Sequence, residues 1–167
     1  MPGHAHISPA DLRAFAGQFP TGVAVVTTRD GSGRLFGITI SAVASLSLAP
    51  PLFLVCLDHR SNTLGAILES RHFCINFLSS RQTGISKVFA SKAEDKFREI
   101  DYTPGVLGSP MIAGAVAHGE CTVQDIHAAG DHAIVIGSLA RVAVHDEAPL
   151  AYCRGRYAAL AEFHATA

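Results

Sequence analysis

Apolar positions near the start of the chain recur at helical spacing: Leu12, Phe15, Ala16 and Phe19 follow Ser8-Pro9-Ala10-Asp11 and stop at Pro20. Ser8 suits a helix cap, Pro9 the first helical position and Asp11 the positive end of the dipole, which predicts a helix here. From Val23 the period changes. Residues 23–28 are rich in β-branched side chains, Asp30-Gly31-Ser32-Gly33 supplies a turn, and Leu35–Ile40 reads as the return strand of a hairpin. Val43–Leu48 continues strand-like up to Pro50-Pro51, and residues 52–57 form an unbroken apolar run that predicts a strand buried on both faces. A short helix is predicted from Ser61, with Leu64, Ile67 and Leu68 on one face, and a strand over residues 73–78. Ile85, Val88 and Phe89 mark another short helix, followed by a charged turn at Glu94-Asp95-Lys96 and a loop over residues 105–110. Two longer strands are predicted over residues 115–126 and His132–Val144, turning at Ala128-Ala129-Gly130-Asp131. A last short strand covers Leu150–Cys153, and Gly155 bends the chain before Tyr157.

Seven or so strands at short intervals with few helices favour an antiparallel barrel over a parallel βαβ sheet. The expectation is mainly β: one domain over residues 1–167, with residues 1–8 as a flexible tail and a few short flanking helices.

Composition narrows the function classes. A net charge of -1 gives no general attraction to nucleic acid or to an anionic membrane. No apolar run reaches the roughly 20 residues that span a bilayer, and the first residues lack a basic-then-apolar export signal. Cys56, Cys74, Cys121 and Cys153 are far apart with no C-x-x-C pair, so reduced thiols in a cytoplasmic protein are the simplest expectation. Gly31-Ser32-Gly33-Arg34-Leu35-Phe36-Gly37 has one residue too many for a dinucleotide loop and joins two strands. His118-Gly119-Glu120 matches the H-x-E of zinc deaminases, but the accompanying P-C-x-x-C is absent. Cys121 then reads as core and Glu120 as a polar or charge-paired strand residue. No metal centre is expected.

What remains is a set of small polar residues at strand ends: Thr39, Ser41, Ser45 and Ser47 in one segment, Asp58, Ser61, Asn62 and Thr63 in another. Hydroxyls and free N–H groups at turns and helix starts can hold phosphate. They can equally be caps and turn residues, and capping alone accounts for Ser61.

The ordered motifs resemble the short-chain flavin reductase family, within the FMN-binding split-barrel group, over nearly the whole chain. Phe19-Pro20-Thr21-Gly22-Val23 opens the match, and Gly37-Ile38-Thr39-Ile40-Ser41-Ala42 resembles the family's G-x-T-x-S-S. Val55-Cys56-Leu57-Asp58, Ser61 and Thr63 follow, then Phe73-Cys74-Ile75-Asn76-Phe77-Leu78 for F-x-V-N-x-L. Asp95-Lys96-Phe97, Gly130-Asp131-His132 and Gly155-Arg156-Tyr157 complete the order. The resemblance implies a homodimeric antiparallel Greek-key split β-barrel with flavin near the subunit interface. It places Thr39, Ser41 and Ala42 beside the flavin ring and ribityl chain, with Cys56, Leu57 and Asp58 touching it mainly through main chain. Ser61 and Thr63 would contact ribityl or phosphate, Asn76 and Phe77 would line the same cleft, and Lys96 would neutralise phosphate. His132 and Tyr157 fall on the nicotinamide side, with His132 the candidate catalytic residue. Alternatively, His132 is a turn residue bonded to Asp131, and Tyr157 a packing aromatic. Ala42 departs from the pattern by removing a hydroxyl, which leaves only a main-chain N–H there.

The implied function is an NAD(P)H-dependent flavin reductase that passes hydride to FMN or FAD and supplies reduced flavin to a partner monooxygenase. NADH or NADPH would be the hydride donor. The rival readings are a split-barrel flavin binder without nicotinamide turnover and a flavin-dependent oxidoreductase acting on another substrate.

Overall fold

The computed structural model describes residues 7–160. In chain order the elements are α1 (Pro9–Ala16), β1 (Thr21–Gly22), β2 (Ala24–Arg29), β3 (Leu35–Ile40), β4 (Val43–Leu48) and β5 (Pro51–Asp58). They continue with α2 (Asn62–Ser70), β6 (His72–Phe77), α3 (Thr83–Ala90), β7 (Tyr102–Pro104) and β8 (Pro110–Ile112). β9 (Ala117–Ala129), β10 (His132–Val144), β11 (Leu150–Cys153) and β12 (Arg156–Ala159) complete the described chain. Residues 1–6 of the expected tail lie outside the described residues, and Ser8 already caps α1.

That cap is reciprocal. Ser8 Oγ accepts from the Asp11 N–H at 3.1 Å, while the Asp11 carboxylate accepts from the Ser8 N–H at 3.2 Å. α1 stops at Ala16, short of the predicted end. The Gln18 and Phe19 N–H groups turn back to the Phe15 and Ala16 carbonyls, so Phe19 lies in a tight turn before Pro20.

Seven strands form one antiparallel sheet in the order β3-β2-β6-β9-β10-β5-β4. Its edges, β3 and β4, are consecutive in the chain and joined only by Ser41 and Ala42. The two edges therefore meet at one corner without pairing along their length, which is the geometry of a split barrel. At that corner the Cys56 N–H donates to the Ala42 carbonyl at 3.0 Å, tying it to β5. Two smaller sheets, β1-β11-β12 and the β7-β8 hairpin, stand beside the main one.

β2 separates two apolar clusters. Ala24 and Val26 face Val55, Leu57, Leu64, Ile67, Phe73 and Ile75, whereas Val23 and Val25 face Leu78, Phe89, Ile112 and Leu150. Burial on both faces therefore belongs to β2 and not to residues 52–57. In β5 only Val55 and Leu57 are buried, because its outer neighbour β4 is an edge and no element among the described residues covers the second face. The expected loop over residues 105–110 is the turn of the β7–β8 hairpin, and β12 is an added strand paired with β11.

Among the described residues Glu120 has no charge pair. It is 1% exposed, and Oε2 accepts from the Leu107 N–H at 2.9 Å while Oε1 has no partner among them. All four cysteines are free thiols, and burial pushes the Cys121 thiol up to about 12, so it stays protonated and inert.

Candidate active site

Edge strand β3 organises the site. Residues 35–38 line a cleft of about 470 Å³, and Thr39, Ile40 and Ser41 line an adjoining groove of about 180 Å³. Beyond the corner, Ser41, Val43 and Phe77 border a third groove of about 310 Å³ with Phe19 and Phe53. Ser41 belongs to the second and third grooves, so the β3–β4 corner joins them.

The large cleft is walled by β3, the start of α2 and the segment after α3. Ser61 caps α2 in extended backbone, its Oγ accepting from the Leu64 N–H at 3.4 Å. Ahead of Leu64, the Asn62 and Thr63 N–H groups cannot be satisfied within the helix, and none of the protein's hydrogen bonds among the described residues uses them. Lining the same cleft, Lys96 Nζ donates to the Phe89 carbonyl at 2.9 Å and the Gly37 carbonyl at 3.2 Å. The ammonium is partly buried with no carboxylate bonded to it, and desolvation lowers its pKa from the ordinary lysine value. Lys96 is thus no solvated surface charge. A backbone glycine makes this wall possible: a Cβ on Gly37 would stand 2.5 Å from the Phe89 ring.

In the adjoining groove, Thr39 Oγ1 donates to the Ser86 carbonyl at 2.7 Å, and the Ser86 and Tyr157 hydroxyls are 3.0 Å apart. Tyr157 also packs edge-on against Tyr152, at 5.3 Å between centroids. Ser41 and Ala42 are exposed at the corner.

A charged cluster sits where β5 and β10 end. Asp58 pairs across the strands with His132, and accepts from the Arg60 Nε–H at 3.0 Å and its terminal N–H at 2.7 Å. The Arg60 guanidinium holds the Asp58 carboxyl well below the usual carboxylate range. His132 Nδ1 is 2.7 Å from Asp131 Oδ1, the turn bond of the alternative reading, and Nε2 has no partner among the described residues. That bond lowers the Asp131 pKa. Arg60 lines the large cleft, so His132 connects to it through Asp58 and Arg60.

The structure therefore gathers Ser61, Thr63 and Lys96 in one cleft, and Thr39, Ser41 and Tyr157 in the next. Cys56 is half-buried on β5, Leu57 is 1% exposed, and neither lines these cavities through its side chain. Asn76 is wholly buried. Its amide nitrogen donates to the Val25 carbonyl and Thr27 Oγ1, both at 3.0 Å, and its oxygen accepts from the Ile112 N–H at 2.8 Å. Asn76 thus secures the wall while Phe77, its neighbour, reaches the groove. Sequence reasoning missed Ser86, Arg60, Arg34 and Phe36. Only Arg34 and Phe36 carried a visible signal, as a cation just ahead of an edge strand and an aromatic two residues on.

A hydroxyl-lined corner thus stands beside a cleft that carries an ammonium and two free helix N–H groups. Residues 16–161 match the model of the flavin reductase-like domain, and the chain belongs to that family. Its activity is NAD(P)H-dependent flavin reduction. A flavin reductase of Pseudomonas putida is 42% identical over 156 residues, covering 93% of this chain and 92% of that protein. The reductase subunit HsaB of a flavin-dependent monooxygenase from Mycobacterium tuberculosis is also 42% identical, over 92% of this chain and 83% of its own. Among solved structures, the Streptomyces globisporus NADH:FAD oxidoreductase SgcE6, in complex with NAD and FAD fragments, superposes with a TM-score of 0.87. It is 30% identical, covering 98% of this chain and 99% of that one.

Proposed function

We propose that the large cleft holds the flavin phosphate and the β3–β4 corner the flavin ring, so that this chain reduces free flavin for a separate monooxygenase. The observation that carries this reading is Lys96. A partly buried ammonium between two carbonyls, in the same cleft as two helix N–H groups that no described residue bonds, lacks an anion, and a phosphate supplies one. The Ser61 and Thr63 hydroxyls border the same cleft and complete its donors.

When bound, flavin accepts the hydride of NAD(P)H together with a proton, giving reduced flavin and NAD(P)+. The protein's part is to align two rings and exclude water between them, which calls for no nucleophile. The main-chain N–H groups at Ser41 and Ala42 stabilise negative charge on the ring, and the missing hydroxyl at Ala42 leaves that contribution in place. Cys56, Leu57 and Asp58 contribute main chain along β5. Tyr157 and His132 serve the nicotinamide side, His132 with the nitrogen that Asp131 leaves free.

Two further parts belong to this reading. The protein is a cytoplasmic homodimer, and its reduced flavin passes to an oxygenase component, as the monooxygenase-subunit relatives suggest. Among the described residues no helix is long and apolar enough to cross a membrane.

The test is to mix desalted protein with NADH or NADPH and follow nicotinamide oxidation on adding FMN or FAD. Oxidation that requires added flavin is the expected result. Flavin that copurifies tightly, with no turnover of added flavin, would leave a flavin-binding protein or an oxidoreductase with another substrate.

A further inference from the structure

The large cleft is longer than one phosphate needs. Beyond Lys96 it is lined by Arg34, Lys92 and Arg60, the last already paired with Asp58, and by one carboxylate, Glu94. On its wall the Arg34 guanidinium lies over the Phe36 ring, 5.3 Å from the centroid. This platform is held in place. Asp30 Oδ1 accepts from the Ser32 and Arg34 N–H groups, each at 2.9 Å, fixing the turn from which Arg34 projects.

An FMN phosphate at Asn62, Thr63 and Lys96 would leave Arg34, Phe36 and Lys92 facing water. FAD carries similar total charge, but spreads it over two phosphates and ends in a flat adenine. We infer that the part of the cleft beyond Lys96 selects FAD over FMN, with Arg34 and Phe36 as the residues that stack the adenine and Lys92 reaching the second phosphate. The inference rests on the flavin-phosphate reading of the cleft around Lys96. A stacked base on a preorganised platform confers about tenfold in affinity or more.

Fluorescence titrations of FMN, FAD and riboflavin into wild type and the variants R34A, F36A and R34A/F36A test this, alongside steady-state KM values for NADH and NADPH. The wild type is expected to bind FAD at least about tenfold tighter than FMN. In the double variant FAD affinity falls to that of FMN, while FMN affinity moves little. Equal wild-type affinities, or equal losses for both flavins, overturn the inference. So do unchanged flavin affinities with a raised KM for NAD(P)H, which would assign the platform to the nicotinamide dinucleotide. Absence of binding by all three flavins, with no turnover, sinks the underlying reading instead.

Discussion

Lys96 is bonded to two carbonyls and to no carboxylate, an arrangement that costs stability in the empty protein and gains value when an anion arrives. Burial lowers its pKa below the ordinary 10.5, so the empty folded state holds this proton less tightly than the unfolded chain. Its contribution to stability therefore rises with pH between the lowered value and 10.5. Flavin phosphate acts in the opposite sense, since it needs the ammonium. FMN affinity is expected to fall as pH climbs through the lowered Lys96 value, while riboflavin, which has no phosphate, shows no such fall. Lys96→Met should weaken FMN binding by about 10- to 100-fold, the worth of a charged hydrogen bond, and leave riboflavin unaffected. Equal losses for both ligands would show that Lys96 supports the fold of the cleft and not the phosphate.

At the scale of elements, β10 and α2 carry opposite kinds of glycine. A Cβ on Gly137 in β10 would lie 2.6 Å from the Phe73 ring and 2.7 Å from Cys121 Cβ, and neither buried neighbour has room to withdraw. Gly137→Ala is expected to cost about 1–3 kcal/mol, a fall in Tm of roughly 2–12 °C for a chain of this size. Gly65, inside α2, has nothing within 4 Å of its missing Cβ, so Gly65→Ala should stabilise by up to about 1 kcal/mol. Thermal unfolding monitored by circular dichroism separates the two. These close approaches also show what the sequence could not reveal. The β-branched run at 23–28 announced its strand, and Ser8 and Ser61 announced their helices, because those signals are local. β7, β8 and β12, strands of three or four residues, are too short to leave a periodic trace, although the hairpins they form are local. The same holds within the site. Hydroxyls at Ser61 and Thr63 were legible as a group, but the half-burial of Lys96 and the full internal bonding of Asn76 are set by tertiary packing.

At the scale of the molecule, the single chain leaves too much apolar surface uncovered. α1 has no buried residue, and an isolated helix of eight residues is marginal in water. Phe15 is 77% exposed, Phe19 74%, Leu48 93% and Val144 79%, more than scattered surface apolars require. Two grooves on this side share Phe53 and Phe77: one is lined by Leu139, Val142 and Val144, the other by Phe19, Ser41 and Val43. The second is the groove that reaches the β3–β4 corner, so a second copy seated here would bury the apolar face and wall the flavin ring at once. Light scattering of the wild type should therefore give twice the chain mass of 17.5 kDa. Val142→Asp/Val144→Asp should shift the protein toward monomer, since each buried carboxylate would lack a partner. Neither side chain lines the phosphate cleft, yet flavin affinity should fall with the dimer, and recover as protein concentration is raised. A wild-type monomer with full flavin affinity would show that the barrel corner is complete within one chain and that the exposed face serves a different partner.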